Sequence, residues 1–188
     1  MYTTKLRATY LVYTVTFLLF AGVFAACDST EPDPEGPGEE ELITRVVVTL
    51  TAGGQTVTAT ADDPDGDGAN LQIDSITLAA GTTYTGTVEL FDDINGEDIT
   101  EEVEEEADEH QFFYTVGGGI AGRVSVAVTD QDGNGLPVGL RFTVTVTDGG
   151  AASGTLNIVL SHFDEEPKNG TDRSDETDVD VTFPVNIQ

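Results

Sequence analysis

The chain has 188 residues, and its 35 Asp and Glu against 7 Lys and Arg give a formal net charge of −28. This length is enough for one domain with a hydrophobic core and a leader segment. The acidic excess disfavours nucleic acid and anionic lipid headgroups as partners, because both are negatively charged. Such acidity is typical either of a solvated surface in salt or of cation binding.

Residues 1–27 have the pattern of a lipoprotein signal peptide. Lys5 and Arg7 precede an apolar run over 10–26, and the chain's only cysteine, Cys27, follows two alanines. We therefore expect cleavage before Cys27 and lipidation of its thiol, which would anchor the protein to a membrane without a spanning helix. An ordinary secretory signal or a membrane-anchor helix is the alternative.

The segment 28–41 contains only Pro, Gly, Ser, Thr and acidic residues. It has no side chains to bury, so we predict a disordered acidic tether. Acidic residues directly after the cysteine resemble the export signal of surface-exposed outer-membrane lipoproteins in some bacterial lineages. The expected location is the cell envelope, as an outer-membrane lipoprotein, and the resemblance implies that it faces outward.

The rest of the chain, 42–188, is rich in strand patterns. About nine stretches show apolar alternation or a high content of Val and Thr. They lie at 43–52, 55–61, 71–78, 84–91, 112–116, 124–128, 138–146, 156–160 and 179–187.

One helix is predicted between the fourth and fifth of these strands. Asp98 and the acid three residues later fit a capping box, and Ile99, Val103 and Ala107 recur every four residues. The helix is expected to begin at Ile99 and to end at His110. Its surface is otherwise acidic.

Short alternating strands with tight turns predict a mainly β domain over 42–188. Each strand has one apolar and one polar face, which is typical of two packed antiparallel sheets. We therefore expect a single β-sandwich, immunoglobulin-like or transthyretin-like, with the acidic helix as a crossover between strands. A closed β-barrel is the alternative.

Two Asp-rich loops have the spacing of calcium sites, because carboxylates two residues apart on a tight turn point toward one cation. Since Asp-Gly and Asn-Gly are also ordinary hairpin residues, a plain turn is the alternative at each loop. The predicted ligands are Asp63, Asp65, Asp67 and Asp74 in the first loop and, in a weaker match, Asp130, Asp132 and Asn134 in the second.

The two histidines, His110 and His162, suggest a second kind of metal site. Glu106 lies four residues before His110 and would share its helical face. His162 ends the strand over 156–160, so the two rings would meet if the helix crosses that strand end. Imidazole with carboxylate suits zinc, copper or nickel. The alternative is two unrelated histidines.

The sequence contains no motif of a known catalytic type. It has no Gly-x-Ser-x-Gly nucleophile motif, no phosphate-binding loop and no thiol beyond Cys27. We therefore expect that the protein is not an enzyme.

Several stretches resemble a group of small acidic bacterial cell-envelope lipoproteins. The resemblance lies in 97–102, 107–112, 132–140, 154–162 and 176–178. It implies the envelope location and a single domain, and it indicates no substrate. A type 1 periplasmic-binding fold does not fit, because that fold needs two α/β lobes with many helices.

Two functions are compatible with these patterns. The first is a lipid-anchored binding or accessory module of the envelope, either for cations, with Ca²⁺ as the expected ion, or beside an outer-membrane transporter as its protein partner. The second is a structural or adhesive surface lipoprotein without a small-molecule ligand. The membrane is the expected partner through the lipid anchor, and nucleic acid is not expected.

Overall fold

The computed structural model describes residues 41–164 and 166–188. The predicted signal peptide, Cys27 and all of the predicted tether except Glu41 lie outside these residues. Within them, no helix has the length and apolar character needed to cross a membrane.

Six strands form the first sheet, in the order β3-β2-β1-β5-β8-β7, and all pairs within it are antiparallel. Its edges are the two-residue β3 and the five-residue β7. In chain order the strands are β1 (Arg45–Ala52), β2 (Gln55–Asp62), β3 (Gln72–Ile73), β5 (Thr83–Phe91), β7 (Val124–Val128) and β8 (Arg141–Val146).

The second sheet has four strands in the order β4-β10-β9-β6. The β10–β9 and β9–β6 pairs are antiparallel, whereas β4 runs parallel to β10. The strands are β4 (Ile76–Leu78), β6 (His110–Gly118), β9 (Ala152–His162) and β10 (Glu176–Ile187).

The core lies between the two sheets, as the alternation predicted. Strands of both sheets turn every second side chain inward, and the buried residues form one apolar cluster. The fully buried aromatic residues come from both sheets and are Phe112, Phe142 and Phe183. The predicted β-sandwich is therefore confirmed, and among the described residues the strands form two separate sheets rather than a closed barrel.

The stretch 71–78 is the main departure from the predicted strands. It is not one strand, because β3 pairs with β2 in the first sheet and β4 pairs with β10 in the second. Asp74 lies at the switch, where its amide donates to Thr60 O and its carboxylate accepts from the Thr60 amide. The chain can leave the first sheet there because this side chain accepts the hydrogen bond that the Asp74 carbonyl would accept if the strand continued.

The single described helix, α1 (Ile99–Glu105), is shorter than predicted. Asp98 caps it as expected and accepts a hydrogen bond from the Thr100 amide. The predicted end at His110 is wrong, because the last helical hydrogen bond joins the Glu106 amide to Glu102 O, and His110 is the first residue of β6. Pairing of β6 with β9 takes over the backbone groups that a longer helix would have used.

Candidate functional site

The two histidines face each other across neighbouring strands. His110 begins β6, His162 ends β9, and the two residues are direct partners in the β6–β9 register. Their rings stack with centroids 4.4 Å apart. Both side chains are buried, with 0% of His110 and 4% of His162 exposed. The predicted meeting of the histidines is therefore present in the structure, but strand pairing causes it rather than a crossing helix.

Carboxylates from two other elements complete this group. Ligand atoms of Glu41, Glu106, His110 and His162 all lie within 4.8 Å of one another, and we call these four residues the histidine–carboxylate cluster. Glu41 precedes β1 and its side chain is only 8% exposed. Glu106 is the exposed C-cap residue of α1. The cluster therefore joins three distant parts of the chain, with Glu106 and His110 only four residues apart.

The hydrogen bonds of His110 define the polarity of the cluster. Its Nδ1 lies 3.2 Å from the carbonyl oxygen of Glu106, and because a carbonyl only accepts, Nδ1 carries a proton. Its Nε2 lies 3.1 Å from Glu41 Oε1. A neutral ring protonated at Nδ1 would turn a lone pair toward that carboxylate. A second proton or a cation is therefore needed between Nε2 and Glu41.

The pKa values of this pair shift in the directions that such a contact requires. Burial acts to lower the pKa of His110, but the hydrogen bond and charge of Glu41, with smaller contributions from the Glu106 carbonyl and Asp178, hold it above its ordinary value. Burial acts to raise the pKa of Glu41, but the hydrogen bond and charge of His110 hold it below its ordinary value. The pair thus favours positive charge at the position between the two side chains.

Asp178 also lies beside the histidine pair. One of its carboxylate oxygens is 3.8 Å from His110 Nε2 and the other is 3.8 Å from His162 Nδ1, and the side chain is 0% exposed. It reaches this position because the β10–β9 register shifts between Thr177 and Val179, which leaves Asp178 as an extra residue. A third carboxylate therefore adjoins the buried rings.

An acidic cavity of about 200 Å³ opens beside His162. Five of its lining residues, apart from His162, are acidic or hydroxyl-bearing, and they are Asp164, Glu166, Ser174, Asp175 and Glu176. Such a lining raises the local concentration of cations, since a cleft with charges of one sign focuses the electric field. The cavity would therefore concentrate cations beside His162.

A buried lysine fixes the backbone next to the cluster. Lys168 Nζ donates to Ala107 O at 2.7 Å and to His110 O at 2.9 Å, and it lies 3.0 Å from Asp132 Oδ2. The Lys168 and Asp132 side chains are 1% and 0% exposed. This cation therefore ties the residues after α1, the start of β6 and the loop after β7 to one point.

The second Asp-rich loop uses its polar oxygens within the fold. Asp130 accepts hydrogen bonds from the Gly139 and Arg141 amides, one at each carboxylate oxygen. Asp132 Oδ1 accepts from the Asn134 and Leu136 amides, and its Oδ2 faces Lys168. These contacts occupy the oxygens predicted to bind calcium at Asp130 and Asp132 and give the loop a structural role.

The first Asp-rich loop brings together three of its four predicted ligands. Ligand atoms of Asp63, Asp65 and Asp67 lie within 4.8 Å of one another. Asp74 is not in this group, because its carboxylate accepts from the Thr60 amide on β2. Asp74, the twelfth position of the predicted calcium loop, thus bonds to β2 instead of joining the other three carboxylates.

The sequence patterns did not indicate three residues of the site. Glu41 was assigned to the tether, and Asp178 and Lys168 were given no role. Asp178 directly precedes the strict alternation of 179–187, but nothing local indicates the register shift that turns it inward. For Lys168 the only signal was its rarity, as one of two lysines in the chain.

Comparisons with known proteins do not identify a family. No family model matches the chain, and no curated protein matches it. Among solved structures, it is similar to the crystal structure of domains 4 and 5 of the S-layer protein SbsC, with a TM-score of 0.32 and 19% identity. The match covers 76% of this chain and 64% of the S-layer chain, so this chain spans less than two thirds of that length. At this TM-score the similarity carries no argument about fold or function.

Proposed function

We propose that this protein is a lipid-anchored binding module of the cell envelope that takes a divalent transition-metal ion at the histidine–carboxylate cluster. The observation that carries the proposal is the convergence of two imidazoles and two carboxylates, with all ligand atoms within 4.8 Å. Two imidazoles favour zinc, copper or nickel over calcium or magnesium.

Charge balance supports this ligand. Glu41 is largely buried, and its second oxygen, Oε2, has no hydrogen-bond donor among the residues that the structure describes. A dication between His110 and Glu41 would satisfy this carboxylate and would replace the second proton on the His110 ring. Buried carboxylates are costly unless they are paired or coordinate a metal.

The geometry also fits a small coordination sphere. In a tetrahedral site with bonds of about 2.0–2.2 Å, ligand atoms lie about 3.3–3.6 Å apart. The ligand atoms of the cluster already lie within 4.8 Å of one another, so they would have to approach only slightly to reach this spacing. The exposed Glu106 side chain is able to move. The Glu106 side faces solvent, which leaves the ion accessible.

Zinc titration of the full chain, purified in detergent after chelator treatment, tests the proposal. We expect one zinc site whose affinity drops at least about tenfold in Glu106→Gln, since even groups that only support ligands contribute about 10–100-fold. Glu105→Gln is the matched control, because it removes an equally exposed neighbouring acid outside the cluster. Calorimetry should show the loss only in the first variant.

Equal zinc affinities for Glu106→Gln and Glu105→Gln would contradict the proposed site. So would binding that Mg²⁺ abolishes at equal concentration, because magnesium prefers oxygen ligands and does not select imidazole. The first result would favour the structural or adhesive alternative, and the second would favour a cation site made of oxygen ligands alone.

The membrane anchor is tested separately. Cys27→Ser removes the thiol that would be acylated, so the protein should leave the membrane fraction or stay unprocessed with a higher apparent mass. Cell fractionation followed by immunoblotting measures both outcomes. If the variant fractionates and migrates like the wild type, Cys27 is not the anchor.

A further inference from the structure

We infer that the loop after β2 is a second, independent cation site, which binds Ca²⁺ through Asp63, Asp65 and Asp67. One oxygen from each of these carboxylates lies within 4.8 Å of the other two. All three ligands are oxygens, which is the donor set that calcium prefers. This site therefore differs in chemistry and position from the histidine–carboxylate cluster.

The backbone of the loop holds these carboxylates in place. The Asp63 amide donates to Thr44 O, and Asp63 O accepts from the Gly66 amide. Asp63 Oδ2 accepts from the Gly68 amide at 2.8 Å. Gly66 has φ of 66° and Gly68 has φ of 73°, a conformation that glycine adopts without strain. The turn is thus fixed before any ion binds.

A buried carboxylate oxygen indicates a ligand at this turn. Asp63 is only 8% exposed, and its Oδ1 is buried without a hydrogen-bond donor from any part of the chain over 41–164 and 166–188. Leaving a charged acceptor buried and unsatisfied costs free energy that the fold must supply elsewhere. A cation between Asp63 and the two exposed carboxylates would satisfy this oxygen.

No Lys or Arg side chain of the described part neutralises these carboxylates. The five Lys and Arg of the described part each have a partner outside the loop, and these partners are Asp93 for Arg45, Gly150 O for Arg123, Glu104 for Arg141, Asp132 for Lys168 and the Phe113 ring for Arg173. The loop therefore carries negative charge that a bound ion would balance.

A cavity beside the loop has room for the remaining ligands. It has a volume of about 180 Å³ and is lined by Asp63 and Gly68 together with residues of β10. Calcium takes six to eight oxygen ligands, more than three carboxylates supply. Water in this cavity would complete the coordination, since the space holds several molecules.

Calcium titration of the chelator-treated full chain in detergent tests the inference. We expect millimolar Ca²⁺ to raise the midpoint of thermal unfolding more than NaCl of equal ionic strength does. Asp65→Asn with Asp67→Asn should remove that excess and lower the calcium affinity at least tenfold. Both side chains are exposed, and asparagine still offers an Oδ1 acceptor to the Ala69 amide, so the fold should persist.

The matched control is Glu89→Gln with Glu101→Gln, which removes the same charge from exposed positions outside both sites. This pair should respond to calcium like the wild type. Glu106→Gln should also keep the calcium response, which separates this site from the zinc site. Identical calcium responses of the loop variant and the control pair would overturn the inference, and circular dichroism at low temperature confirms that each variant is folded.

Discussion

Replacement of Lys168 by methionine should lower the free energy of unfolding by about 3–5 kcal/mol, because it leaves the buried Asp132 carboxylate without its cation. Methionine keeps most of the volume but none of the contacts from Nζ to Asp132, Ala107 O and His110 O. The two carbonyls lose a donor as well, which adds to the cost. Thermal or urea unfolding of the full chain, followed by circular dichroism, measures the change.

An exposed ion pair provides the control for Lys168. Arg141 Nη2 lies 2.7 Å from Glu104 Oε1, but these side chains are 59% and 45% exposed. Arg141→Met should therefore cost only about 0–1 kcal/mol. Adding Asp132→Asn to Lys168→Met should recover much of the stability, because the amide is neutral and still accepts from the Leu136 amide. If Lys168→Met costs no more than Arg141→Met, the buried pair contributes nothing.

The effect of Lys168 should also depend on pH. Burial acts to raise the pKa of Asp132, but hydrogen bonds from the Leu136 amide, Lys168 and the Asn134 amide hold it below its ordinary value. A lowered pKa means that this carboxylate stabilises the fold above the ordinary Asp value of about 3.9 and ceases to do so as the pH falls through the folded-state value. The stability difference between wild type and Lys168→Met should therefore shrink in acid.

The sandwich was predictable because alternation is a direct consequence of burying one face of a strand. Phe142, Val144 and Val146 of β8 are buried, and Thr143 and Thr145 between them are not, as their spacing indicates. This pattern needs no knowledge of the partner strand. The predicted strands therefore agree in position with the structure where a strand stays in one sheet, except that the strand predicted over 138–146 begins only at Arg141.

The switch between sheets at Asp74 was missed although the sequence carries a signal for it. The apolar positions of 71–78 change phase, from Leu71 and Ile73 to Ile76 and Leu78. The first two are 38% and 37% exposed, whereas the last two are buried. One strand cannot present both sets to the same face, so the phase change marks two strands.

The histidine–carboxylate cluster was predictable only in part, because it depends on pairing between distant strands. The helical spacing of Glu106 and His110 predicted that these two residues lie together, which they do, but the predicted geometry is wrong, since His110 belongs to β6. Glu41 is 69 residues away from His110, and no local pattern connects them. Contacts of this kind follow from sheet order and register, which the local patterns of a single sequence do not reveal.

Gly154→Ala should destabilise the fold by about 3 kcal/mol, because an added methyl group would overlap backbone atoms. Gly154 lies on β9, between Gly118 of β6 and Val185 of β10. Its Cβ would lie 2.3 Å from Gly117 O and 2.6 Å from Ile120 Cγ1. The carbonyl cannot rotate away as a side chain would, so β6, the strand that carries His110, must move.

Gly150→Ala is the control, since no described atom lies within 4 Å of its Cβ, and it should change stability by less than about 0.5 kcal/mol. Thermal unfolding of both variants measures the difference, and equal midpoints would show that β6 and β9 are not packed this closely at their glycines.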